Sequence, residues 1–125
     1  MKKLILLSVL FIVFSCKKEN QESFGKPSTP VAETPMAIGK TIFEGKGMCI
    51  TCHKPDIKLV GPSLQDIAKI YKEKNGNMIS FLKGEGEALV DPTQYEVMKA
   101  NFAVTKTFSD EELKSVELYV NSFLK

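Results

Sequence analysis

At 125 residues the chain has room for one small domain with one core, and its 43% hydrophobic content is that of an ordinary globular protein. The formal net charge of +2 is carried by Lys2 and Lys3, so the remainder is near neutral, and arginine is missing altogether. A nucleic-acid binder would show a basic stripe with interleaved aromatics, so nucleic acid is excluded as a partner.

The first residues read as a targeting segment. Met1-Lys2-Lys3 is a positive start, and Leu4 to Phe14 is apolar except for Ser8, too short at about 1.5 Å per residue to span a bilayer comfortably. A signal peptide over 1–15 is therefore expected. It ends in Val13-Phe14-Ser15-Cys16, which resembles a bacterial lipobox, making Cys16 the expected lipidation site. From Cys16 to Pro35 the chain is polar with Pro27, Pro30 and Pro35, a linker with little to bury. These features predict export and lipid anchoring to a bacterial membrane. Lys17 follows Cys16 where an inner-membrane retention aspartate would stand, which favours the outer membrane facing the periplasm, with surface exposure as the alternative.

The folded domain is expected over 36–125. Ala37, Ile38, Ile42 and Phe43 form a helical stripe ended by Gly45 and Gly47. Lys54 to Val60 reads as a loop leading to Gly61-Pro62. Ser63 caps a second helix with Leu64, Ile67, Ala68 and Tyr71 on one face, and Asn77 caps a third through Met78, Ile79, Phe81 and Leu82. Asp91-Pro92 starts a turn or two through Tyr95 and Val97, with Met98 expected where that helix runs out. Asn101 to Phe108, with Val104, Thr105 and Thr107, reads as irregular. Ser109-Asp110-Glu111-Glu112 is a capping box for a last helix burying Leu113, Val116, Val120, Phe123 and Leu124. No run of alternating strands stands out, so the fold class is all-α.

Cys49-Ile50-Thr51-Cys52-His53 is the chemical centre. In C-x-x-C-H, two thiols add to the vinyl groups of a haem and the adjacent histidine meets the iron. A zinc site needs further cysteine or histidine ligands, but His53 is the single histidine. A redox dithiol would sit beside a βαβ pattern, which is missing. One covalently attached haem c is therefore expected, and with Cys16 lipidated no cysteine is left for a disulfide. The second axial ligand is a methionine, a lysine, solvent or nothing. Met48 lies with the proximal segment, Met36 opens the first helix, and Met78 reads as a core residue. Met98 is favoured and Met78 is its rival.

From about Ile38 onward the chain resembles a small bacterial monohaem class I cytochrome c. The resemblance is carried by Gly39 and Phe43, the C-x-x-C-H motif, Val60-Gly61-Pro62-Ser63-Leu64, and a final helix with Tyr119 against the first. It implies several short helices around one haem, with iron held by His53 and by a methionine placed as Met98 is. It also implies that the Pro62 carbonyl accepts a hydrogen bond from the histidine and that Asn101 bonds the methionine sulfur, a plain turn role being the alternative for Asn101. With no arginine, Lys99, Lys106, Tyr71 and Tyr95 are the candidates for the propionates.

The expected function is one-electron transfer, tethered at a membrane, between a respiratory donor and a terminal oxidase or reductase, with no catalysis and no small-molecule substrate. Lys46 and Lys54 are placed to steer an acidic redox partner. Two alternatives are an accessory haem subunit of a larger respiratory complex and a haem enzyme or gas sensor with an open iron position. The second lacks a distal histidine or arginine to do acid–base work.

Overall fold

The computed structural model describes residues 33–125. The expected signal peptide and Cys16 lie outside the described residues, as does most of the 16–35 linker. Among the described residues the secondary structure is helical, with one isolated bridge between His53 and Lys58, and no helix is long and apolar enough to cross a membrane.

The frame is made by the first and last helices. In α1 (Pro35–Glu44), Thr34 extends at the N-cap and its hydroxyl accepts from the Ala37 N–H at 3.2 Å, while Pro35 occupies the first turn, where its missing donor costs nothing. In α6 (Asp110–Asn121), Ser109 and Glu112 complete the capping box in both directions, with three acids on the positive end of the helix. The two helices cross at Gly39, where any Cβ would overlap the Ser115 carbonyl. Only glycine permits that approach. Phe43 and Tyr119 then pack with ring centroids 5.4 Å apart, and Ile42, Phe43, Leu113, Val116 and Val120 are buried, each worth roughly 1.5–3 kcal/mol.

The middle helices lean on this frame. Ser63 caps α2 (Leu64–Glu73) and Asn77 caps α3 (Met78–Leu82), both through side-chain oxygens that accept from the third residue on. Both helices pack on α6. Asp91 then caps a short 3₁₀ turn, Pro92–Gln94, that runs directly into α4 (Tyr95–Lys99) and α5 (Phe102–Thr105).

Three expectations need correction. The stretch after Asn101 is helical in α5, because Phe102 and Thr105 are buried and the Thr105 hydroxyl donates to the Leu82 carbonyl at 2.5 Å. Tertiary packing there outweighs the weak helix propensity of Val104 and Thr105. Met98 lies within α4 rather than beyond its end. Finally, α6 stops at Asn121, so Phe123 and Leu124 are half-buried past the helix rather than on its face.

Candidate cofactor site

The site grows from the end of α1. The chain leaves the helix with the Gly45 and Gly47 N–H groups bonded back to Thr41 and Ile42, and Met48 adopts a left-handed conformation (φ 53°) that turns it into the 3₁₀ segment Cys49–Thr51. A non-glycine residue there stores backbone strain of about 1–2 kcal/mol. The turn fixes the motif: the Cys52 and His53 N–H groups both donate to the Cys49 carbonyl, at 3.1 and 3.0 Å.

The loop behind the motif is sewn to it. The Gly61 N–H donates to the Cys52 carbonyl at 3.0 Å, the Leu64 N–H to the Lys54 carbonyl at 2.9 Å, and Lys58 pairs with His53. His53 Nδ1 donates to the Pro62 carbonyl at 2.8 Å, and Gly61 sits so close to the imidazole that a Cβ would overlap the ring. Burial lowers the His53 pKa, against the smaller opposing pull of the Pro62 hydrogen bond. The ring is thus neutral, with its proton on Nδ1 and the Nε2 lone pair free for a metal.

These groups face a cavity of about 410 Å³ whose wall is almost wholly apolar. Cys49, Cys52, His53, Pro62, Met98 and Asn101 all line it, together with Leu64, Ile67 and Tyr71 of α2, Met78, Phe81 and Leu82 of α3, and Val116 and Val120 of α6. Burial pushes the Cys49 thiol up to about 11, and both motif cysteines are unpaired. The wall also carries one orphan. Tyr71 is 7% exposed, its hydroxyl has no hydrogen-bond partner, and burial raises its pKa, so it remains a protonated donor. Two thiols, a neutral imidazole and one unpaired buried donor in an apolar cavity fit a large flat ligand with few polar substituents.

The family model for Cytochrome c matches residues 36–123. The chain belongs to the cytochrome c family. It has the all-α class I cytochrome c fold and the family's cofactor, covalently attached haem c with its iron, for which Cys49 and Cys52 stand in the C-x-x-C-H motif. Its function is haem-based electron transfer, which implies protein redox partners. No curated protein matches the chain.

For a cytochrome c, the remaining site expectations divide as follows. Three methionines line the cavity, Met48, Met78 and Met98, whereas Met36 does not. Met48 is 59% exposed and belongs to the histidine's own segment; Met78 is 4% exposed within the core; Met98 is half-buried on a separate helix. Asn101 donates to the Gly47 carbonyl at 3.4 Å, a long bond that ties α5 to the segment before the motif. Of the four propionate candidates, Tyr71 and Tyr95 line the cavity. Lys99 instead pairs with Glu96 and lies over the Tyr95 ring, and Lys106 lies against Gly84. Lys46 is engaged by Glu112 and the Phe108 ring. Asp91 also lines the cavity, although its sequence context shows only a helix cap.

Proposed function

We propose that this protein is a membrane-tethered electron carrier whose haem iron is held by His53 and Met98, and that it shuttles one electron at a time between a respiratory donor and a terminal oxidase or reductase. The haem iron supplies the one-electron couple. His53 gives a neutral imidazole held rigid by Gly61 and the Pro62 carbonyl, and Met98 gives a thioether, a pairing that raises the potential. The apolar wall excludes water, and Tyr71 offers its proton to a carboxylate of the cofactor. The carrier assignment, rather than catalysis, is supported by the wall's composition: apart from His53 it offers no histidine and no arginine to move protons at a substrate.

The observation that carries the ligation is that Met98 and His53 reach one cavity from separate segments, with Met98 neither locked in the core nor exposed. The test is the absorption spectrum of the oxidised holoprotein. A methionine–iron charge-transfer band is expected, and Met98→Ala should abolish it and lower the potential. A band that survives in Met98→Ala and disappears in Met78→Ala would transfer the role to Met78.

The tether is supported by the lipobox-like stretch ending at Cys16 and by the polar 16–35 linker, and a domain held outside the cytoplasmic membrane accords with where c-type attachment occurs. Mass spectrometry of the mature protein should find a lipidated Cys16 as the first residue. Stable co-purification in detergent would instead favour an accessory subunit of a larger complex.

A further inference from the structure

Two stretches that share no helix contribute to the cavity wall: the 53–61 loop, which carries His53, and the 91–101 segment, which carries Met98. The loop is fixed from within by the Cys52, Lys58 and Pro62 backbone bonds described above. The 91–101 segment is held differently: α4 adjoins the 3₁₀ turn before it and α5 after it, and it reaches the rest of the domain through Tyr95 on Phe81 and through Met98.

One ion pair joins the two. Lys58 Nζ donates to Asp91 Oδ2 at 2.7 Å, across 33 positions of sequence. Each partner is tied to a ligand-bearing unit. The Lys58 backbone pairs with His53 itself. Asp91 Oδ1 accepts from the Thr93 N–H at 3.2 Å and from the Thr93 hydroxyl at 2.6 Å, capping the turn that runs into α4. The Asp91 side chain is 15% exposed, and the residue lines the cavity. The other ion pairs among the described residues either lie within one helix or join a lysine to α6.

We propose that Lys58 and Asp91 are positioning residues: their ion pair holds the Met98 segment against the histidine loop, and so sets how often the methionine side of the iron opens to an outside ligand. This rests on Met98 being the ligand. Because Lys58 is 59% exposed, the pair shifts an opening equilibrium by a factor of about 2–5.

The test uses reduced holoprotein and carbon monoxide, together with amide hydrogen exchange over residues 92–101. Lys58→Gln removes the charge and leaves the Asp91–Thr93 cap intact. It should raise the opening-limited rate of carbon monoxide binding, and exchange in 92–101, by about 2–5-fold, with exchange in α1 and α6 unchanged. High salt should move the unmodified protein the same way and leave Lys58→Gln unmoved, and Lys58→Arg should restore the original rates. Unchanged binding and unchanged exchange in Lys58→Gln would overturn the proposal. Met98→Ala separates the two readings: if the ligand assignment fails, that variant still binds carbon monoxide at the original rate, whereas exchange in Lys58→Gln reports on the ion pair regardless.

Discussion

The α1–α6 frame and the 91–101 segment bound the same cavity but are held by different forces. In the frame, Gly39 lets two backbones touch, Leu113 is fully buried, and both helices carry side-chain caps. In the segment, α4 buries no residue fully, and Phe102 and Thr105 are its neighbour's anchors. Apolar burial and close backbone contact hold the first, while the second combines packing of Tyr95 on Phe81 and Phe102 with capping hydrogen bonds and one ion pair. The frame anchors the stretch from which the histidine turn starts, and the 91–101 segment carries Met98, the ligand proposed above.

The largest effect expected is from losing the cofactor. Without it the almost wholly apolar wall of the cavity of about 410 Å³ loses the atoms it packs against and meets water. The Cys49→Ala/Cys52→Ala protein, unable to retain haem covalently, should therefore lose cooperative unfolding in denaturant titrations, and 91–101 should lose exchange protection first. Persistent native-like protection of both regions without haem would erase the contrast.

Next is the frame. Gly39→Ala forces the helices apart and should cost about 1–3 kcal/mol, read by denaturant midpoint, while the charge-transfer band of the folded fraction stays in place. Ser109→Ala removes one side of the capping box and should cost about 1 kcal/mol globally, with exchange in 91–101 following only the global change. A selective loss of the segment in either variant would mean that the two regions are one unit.

The smallest effect is in acid. The Lys58 ammonium and the Thr93 hydroxyl hold Asp91 down to about 2, from an ordinary value of 3.8. A carboxylate whose pKa is depressed by folding stabilises the fold above its unfolded value, and that contribution fades as pH falls through the folded one. Protection in 91–101, taken relative to the intrinsic exchange rate at each pH, should thus fall selectively between about pH 4 and pH 2, a step that Asp91→Asn lacks. A step of equal size in α1 and α6 would assign the acid transition to other carboxylates.

Where local chemistry decided the structure, the sequence was readable. Ser63, Asn77, Asp91-Pro92 and Ser109-x-x-Glu112 each mark a helix start that the structure places within a residue or two, whereas Pro35, read as the end of the linker, opens α1. The attachment motif was readable because its spacing is itself the chemistry, and the role of Pro62 followed from the resemblance to class I cytochromes c. What escaped was long-range. The helix at Phe102–Thr105 depends on the Leu82 carbonyl, 23 positions away, and Asn101 reaches back 54 positions to Gly47. The Lys58–Asp91 pair joins two loops with no periodicity to betray it.

The contact between α1 and α6 has one more consequence, in time rather than space. Lys46, just past α1, pairs with Glu112 in the first turn of α6, 66 positions further on. Such sequence-distant contacts form late in folding. Because Val116 and Val120 of α6 line the same cavity as Cys49 and Cys52, the site is complete only once the last helix has docked.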